Sequence, residues 1–393
     1  MSKLSELIKE LCPNGVEYKK IKEVFKRLKG TPITDGKMKE IEHPDGDIRV
    51  FAGGKTVINA YEEDIPKANI TRVPAVLVQS RGVIDAIYYD KPFTFKNEMW
   101  AYTHSEPITV KFLYYVLKNN MTHFREAASG MGSLPQISLP VTEEFVIPVP
   151  PLEIQREIVQ ILDNFTNLTA ELTAELTARK RQYEYYRNKV LFFNNDIPRY
   201  SLEELCDIVD YRGKTPKKVE KGIFLITAKN IRKGYIDYEK SKEYVSEEDY
   251  GEIMRRGLPE IGDILITTEA PCGNVAQIDR IDVALAQRVI KYRPKNSFLN
   301  KAFLKHILLG KEFQTKLEKA STGGTVKGIK GSKLHTLTIP VPPLPVQERI
   351  VNVLDNFEAI CNDLQIGLPA EIEARKKQYE YYRDKLLSFE ALS

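Results

Sequence analysis

Two stretches of this chain, 192 residues apart, are nearly the same. Residues 147–165 read IPVPPLEIQREIVQILDNF and residues 339–357 read IPVPPLPVQERIVNVLDNF, identical at 13 of 19 positions. A second pair, 179–191 (RKRQYEYYRNKVL) and 375–387 (RKKQYEYYRDKLL), agrees at 10 of 13 positions with an offset of 196. Self-similarity at so long a period means one structural unit used twice. The 393 residues then divide as globule, helix, globule, helix: 1–146, 147–195, 196–338 and 339–393.

The duplicated blocks read as helix. Pro150-Pro151 and Pro342-Pro343 stand at the entry, where a fixed φ and a missing N–H are tolerated, and apolar periodicity follows. Ile158, Ile161, Phe165, Leu168 and Leu172 keep a 3–4 spacing, as do Ile350, Val353, Phe357, Ile360 and Leu364. Tyr183, Tyr186 and Val190, with Tyr379, Tyr382 and Leu386, resume the stripe; these tyrosines are expected to pack the helix ends rather than stack bases. The pattern predicts two long helices packed on each other, parallel or antiparallel. Between its blocks the first copy carries T-A-E-L twice, at 169–172 and 173–176. Four residues turn a helix by about 400°, so successive leucines drift only about 40°. The second copy instead has Gly367-Leu368-Pro369, which predicts a kink or a restart.

The globules share only an outline. Each has an amphipathic start leading to a Gly/Thr/Pro turn (30–32 and 213–216), then β-rich runs. These are 75–78 and 84–89 in the first, and 223–227, 263–268 and 288–292 in the second. A helix follows (110–118 and 301–309), then a Gly-rich turn (129–133 and 321–325). Near-identical frames with divergent globules suggest a symmetric scaffold presenting two different readers.

Composition, at 42% hydrophobic and 28% charged, is that of a folded globular chain. No run reaches 18 apolar residues, and Lys3, Glu6, Lys9 and Glu10 interrupt the start, so a cytoplasmic protein without a membrane span is expected. Cys12, Cys206, Cys272 and Cys361 are too scattered for a zinc or disulfide framework and read as reduced thiols. The net charge of +4 is small, but residues 196–338 alone carry +6 and residues 339–393 carry −3. Cations gather at loops: Arg27, Lys29, Lys37 and Lys39; Arg212, Lys214, Lys217, Lys218 and Lys221; Lys327, Lys330 and Lys333. Such clusters at corresponding points of both globules, interleaved with Tyr211, Thr215, Thr322 and Thr325, suit phosphate contact. No P-loop, H-E-x-x-H, G-x-S-x-G or cofactor-type glycine turn occurs, and Asp263 and Glu269 lack a partner histidine and read as turn or surface groups. The chain by itself is expected to catalyse nothing.

Two variable globules, each followed by a helix opening P-P-L-x-x-Q and closing R-K-x-Q-Y-x-Y-Y-R, resemble the DNA-specificity subunit of type I restriction–modification enzymes. The T-A-E-L pair resembles the branch of that family with tetrapeptide-repeat spacers. The resemblance covers essentially the whole chain. It implies an α/β (α+β) fold with two target recognition domains on two long antiparallel coiled-coil helices, related by a pseudo-two-fold repeat. It implies that each globule reads half of a bipartite, asymmetric DNA target in the major groove. The helices would set the half-site spacing and dock two adenine methyltransferase subunits, with two motor-nuclease (restriction) subunits joining. S-adenosylmethionine, ATP and Mg would be bound by those partners, leaving this chain without cofactor, metal or catalytic residue. The family's turn positions carried onto this chain give Lys29, Thr31, Lys37, Lys39, Arg81 and Ser133 in the first globule. In the second they give Tyr211, Arg212, Lys214, Thr215, Lys217, Thr322, Thr325 and Lys327. The rival readings are a two-helix protein-interaction scaffold without DNA specificity, which predicts no salt-sensitive DNA affinity, and an enzyme with a divergent active site, which predicts activity from the chain alone.

Overall fold

The computed structural model describes residues 3–54, 56–65, 69–129, 134–211, 216–324, 327–362 and 367–392. They form two compact units, Met1–Leu172 with Ile372–Ser393, and Thr173–Glu371. The division falls between the two T-A-E-L copies, so each unit takes the start of one scaffold helix and the end of the other.

In the first unit β1 (Glu17–Lys20) and β9 (Val146–Val149) pair antiparallel as a neck. Above it β2 (Lys26–Leu28), β8 (Trp100–Thr103), β5 (Ala75–Gln79) and β6 (Asp85–Tyr89) form one sheet in that order. A second sheet has the order β4 (Val57–Ala60), β3 (Ile48–Phe51), β7 (Phe93–Phe95), with β3 and β7 parallel. All five residues of β5 are buried, which is why it reads as an unbroken apolar run.

The second unit repeats this strand for strand. Its neck is β10 (Arg199–Ser201) with β18 (Thr338–Pro340). Its larger sheet runs β11 (Cys206–Asp210), β17 (Val289–Pro294), β14 (Ile264–Thr267), β15 (Val275–Gln277). Its smaller sheet runs β13 (Tyr244–Val245), β12 (Ile223–Ile226), β16 (Val283–Leu285), and β12 and β16 are again parallel. The sequences share only an outline, yet the topologies coincide. Short strands need only apolar volume at the right alternation, and many residue choices supply it.

The duplicated motifs now have physical reasons. Gln155 and Gln347 are buried, and each donates from Nε2 to the carbonyl of the first entry proline, Pro150 or Pro342, at 2.8 Å. The Gln thus satisfies a strand-end carbonyl that neither strand nor helix uses. Asp163 accepts from the Tyr115 hydroxyl at 2.5 Å and pairs with Lys111 at 2.7 Å, tying the helix Pro107–Asn119 to the scaffold. Asp355 holds the helix Lys301–Leu309 in the same way, through His306 Nε2 at 2.7 Å. The aromatics also repeat: Phe165 stacks on Tyr382 at 5.5 Å and 23°, and Phe357 on Tyr186 at 5.8 Å and 24°. The tyrosines therefore pack helix against helix, as expected from their spacing.

The central helix runs unbroken over Leu152–Val190. In the second unit its end lies against Leu344–Asn362, with Tyr186 and Tyr183 on Phe357 and, further back, Lys180 and Arg179 near Cys361; the two segments are antiparallel. The last helix restarts at Leu368, where the Gly367 carbonyl accepts from Ala370 N and Glu371 N and Pro369 sits in the first turn. Leu364 of the predicted stripe lies outside the described residues. The four cysteines are free thiols. No helix among the described residues is long and apolar enough to cross a membrane.

Where the first unit anchors with Tyr115, the second uses an ionisable group. Burial holds the His306 imidazole below its ordinary value, helped by Lys305 and opposed by Asp355 and Glu358. A depressed base favours the neutral folded form, so this contribution is complete above about pH 6.5. It is lost as pH falls through the folded value, at a slope of at most about 1.4 kcal/mol per pH unit. Thermal melts between pH 7.5 and 5.5 are expected to show the second unit weakening. His306→Tyr, which installs the first unit's anchor, is expected to remove that dependence.

Candidate nucleic-acid interface

In the first unit the helix Asp35–Ile41 is capped by Thr34, whose side chain accepts from Lys37 N at 3.2 Å. It buries Met38 and Ile41, so Lys39 is left exposed. Lys37 pairs with Glu40 of the same helix at 3.2 Å. Lys39 borders a cleft of about 780 Å³ with Asp35, Gly53, Gly54, Arg81, Lys96 and Glu98. Gly54 has φ +72, a conformation that glycine adopts freely, and its N–H donates to the Arg81 carbonyl at 3.2 Å. Lys96 pairs with Asp35 at 2.7 Å and with Glu98 at 3.3 Å. Its hydrogen bond and charge hold the Asp35 carboxyl below the ordinary range. Arg81 and Lys39 remain exposed on the rim.

The turn beside them corrects one expectation. Lys29 is exposed, but Thr31 is 0% exposed. Its hydroxyl lies 2.7 Å from the Thr94 hydroxyl and accepts from Asn69 N at 2.8 Å, so it fixes the turn from inside. Ser133 lies outside the described residues.

In the second unit Arg212, Lys214, Thr215 and Thr325 also lie outside the described residues. Lys217 is exposed. Tyr211 is the second correction: it is buried, its hydroxyl donates to the Gly257 carbonyl at 2.6 Å, and burial pushes its pKa up. Both errors have one cause, since a Thr or Tyr beside cations in a turn reads the same whether it points in or out. Thr322 is exposed, and its backbone exchanges two hydrogen bonds with Gly328 at 2.8 and 2.9 Å. Lys327 pairs with Glu318 at 2.6 Å on the edge of a cleft of about 660 Å³ that Lys233 also lines.

Backbone bonds align the two rims. Ile137 N donates to the Ser80 carbonyl, and Ile329 N donates to the Thr268 carbonyl. Ser129 bridges Gln136 as Thr322 bridges Gly328. Arg81 of the first unit therefore corresponds to Glu269 of the second, and the strand register, Val78 opposite Trp100 and Ile266 opposite Ile290, makes Glu98 correspond to Arg288. The charges have exchanged places. Arg288 Nε pairs with Glu269 at 2.5 Å, and Arg288 holds φ +69, a left-handed conformation costly for a side chain other than glycine. Arg288 and Lys233 are exposed cations that sequence reading missed; Lys233 stands beside Lys229 and Arg232, a signal that could have found it, whereas Arg288 lies at a strand entry and in no repeated motif.

Asp263, read from sequence as a turn or surface group, is instead 0% exposed. Arg293 grips it with two bonds at 2.8 and 2.7 Å, the Glu260 amide donates to it at 2.9 Å, and Lys291 lies 3.5 Å away. Burial pushes this carboxyl up, but those bonds and the neighbouring cations outweigh it and hold the group below its ordinary value. The only metal-ligand-like group found among the described residues is His306, Asp355 and Glu358. Lys305 Nζ already stands between its carboxylates, at 3.4 and 2.6 Å, so the cluster is an anchor with its cation built in.

The arrangement offers exposed cations on loops at the ends of buried strands, which suits phosphate contact, flanked by polar groups that can meet base edges. A profile described as "Type I restriction modification DNA specificity domain" matches this chain twice, over residues 13–179 and 194–374. The specificity subunit of the Escherichia coli type I restriction enzyme EcoR124I/EcoR124II is 32% identical, over 99% of this chain and 98% of its own length. A putative type I restriction enzyme specificity subunit of Haemophilus influenzae is also 32% identical, over 75% and 77%. The crystal structure of a type I restriction–modification S subunit from M. genitalium shares the fold, with TM-score 0.55, 17% identity and 95% of each chain covered. A chain from a structural study of assembly and conformational transition in a type I system matches with TM-score 0.56 and 16% identity, over 95% of this chain and 98% of that one.

Proposed function

The chain belongs to the type I restriction–modification DNA specificity family, and from that premise we propose that each unit reads one half of a bipartite DNA target. One observation carries the proposal: the same strand topology occurs twice, with opposite charges at the equivalent rim positions 81/98 and 269/288. A shared frame with inverted rim chemistry is what two different half-sites require. Lys29, Lys37, Lys39 and Arg81 serve the first half-site. Lys217, Lys233, Arg288, Thr322 and Lys327 serve the second, joined by Arg212, Lys214, Thr215 and Thr325, while Ser133 belongs with the first. Cations hold phosphates and fix register; Arg, Lys and Thr side chains aimed at base edges supply discrimination. The DNA reader is favoured over the protein-interaction scaffold because both family matches are to DNA specificity domains.

In this reading the chain is not catalytic and works where the DNA is, in the cytoplasm. Two adenine methyltransferase subunits supply S-adenosylmethionine chemistry, and two restriction subunits supply ATP- and Mg-dependent cleavage. The T-A-E-L segment marks the tetrapeptide-spacer branch and acts as a ruler. A third copy adds about 6 Å of helix with Leu on nearly the same face.

The test mixes the chain with its methyltransferase partner and labelled S-adenosylmethionine. Label is expected at one split sequence, with the unread gap lengthened when a third T-A-E-L is inserted. Methyl transfer by the chain alone would overturn the reading, and an unchanged gap would remove the ruler. Lys39→Ala with Arg81→Ala is expected to weaken binding and flatten its salt slope by about 0.9 per lost phosphate contact.

A further inference from the structure

The two scaffold entries have nearly the same sequence but are not equally covered. In the first unit Ile154, Glu157, Ile158 and Ile161 form one stripe of the central helix, all buried or half-buried, with Ile154 at 0% exposure. At the matching positions of the second unit Val346, Arg349 and Val353 are exposed and Ile350 is half-buried, Val346 at 40% and Val353 at 46%. The neighbouring stripe is buried in both copies, Gln155, Val159 and Leu162 against Gln347, Val351 and Leu354. The difference is therefore confined to one face.

What covers that face in the first unit is the N-terminal helix Lys3–Leu11. Its apolar residues Leu4, Leu7, Ile8 and Leu11 keep helical spacing. Leu4 is buried in the core that holds Ile154 and Ile158, Leu7 and Ile8 pack beside it, and Lys3 pairs with Glu157 at 2.5 Å. Among the described residues the second unit has no counterpart, because the segment before β10 is the end of the central helix itself.

We propose that the Val346–Ile350–Val353 stripe is a docking site for an amphipathic helix from a different polypeptide, carrying a carboxylate where the N-terminal helix carries Lys3. The apolar stripe sets the shape of the occupant, and charge sets its identity. Glu157 is replaced by Arg349, so the pairing group on the incoming helix must be acidic. The same argument disfavours a second copy of this chain, whose Lys3 would face Arg349. The proposal does not depend on the DNA-reading assignment.

The probe is a stapled, fluorescently labelled peptide of residues 2–12 bearing Lys3→Glu, titrated into the full chain and followed by anisotropy. It is expected to bind at least about tenfold tighter than the same peptide with Lys3 retained, the equivalent of about 1.4 kcal/mol. Arg349→Glu in the chain is expected to reverse that preference, and Val346→Asp with Val353→Asp to abolish binding. Those three side chains are exposed, so the variants are expected to melt like the parent chain. Absent saturation, equal affinity for the two peptides, or binding untouched by the Val346 and Val353 changes would overturn the proposal. So would a concentration-dependent dimer lost with Val346→Asp in sedimentation, which would give the stripe to a second copy. Directed methylation that persists while the peptide fails would remove the docking site and leave the DNA reader standing.

Discussion

Exchange of the segment between β10 and β18 for the reader of another family member is expected to change one half-site completely and leave the other intact. Two of its holds on the scaffold differ in kind. The neck pairs Arg199 with Pro340 and Ser201 with Thr338, and backbone bonds of this kind tolerate almost any side chain. The second hold is specific: Lys305 bonds Glu358 at 2.6 Å and His306 bonds Asp355 at 2.7 Å. A graft that keeps donors at 305 and 306 is expected to fold and direct methylation. One that places an apolar residue at 306 removes the imidazole that bonds Asp355 and so weakens the scaffold's grip on the reader. Sequencing of methylated sites decides between outcomes, and a change in both half-sites together would refute independent readers.

Asp263→Ala is expected to destabilise the second unit by about 3–5 kcal/mol, the cost of breaking a buried ion pair and stranding its partners. Lys291, only 3% exposed, would lose its paired carboxylate and keep just the Leu258 carbonyl at 2.9 Å, while Arg293 would keep Glu260 and the same carbonyl. At about 2–4 °C per kcal/mol for a unit of this size, the melting point should fall by about 6–20 °C. Because the folded carboxyl is held below its ordinary value, its contribution is present above about pH 4 and is lost as pH falls through the folded value. Thermal melts should therefore show the variant and the parent chain converging in acid. The exposed Arg280–Asp282 pair offers the contrast, and Asp282→Ala should move stability by less than about 1 kcal/mol.

The sequence by itself determined the frame. Repetition at 192 residues, proline entries, 3–4 apolar spacing and the tyrosine block are local or periodic, and local signals survive in one dimension. They located both scaffold helices, the restart at Gly367-Leu368-Pro369 and the packing of Tyr186 and Tyr382. Only the tertiary structure decided what those signals leave open. It showed that the two globules share one topology, because a core accepts many residue sets of the same volume. It turned Thr31 and Tyr211 inward and Asp263 into a buried anchor, because burial depends on partners such as Asn69, Gly257 and Arg293, distant in sequence. It set Arg81 against Glu269 as equivalent positions, a correspondence carried by backbone bonds to loops about 55 residues away rather than by sequence similarity. And it left Val346 bare while covering Ile154, although their motifs are nearly identical, because exposure belongs to the neighbours a residue finds and not to the residue.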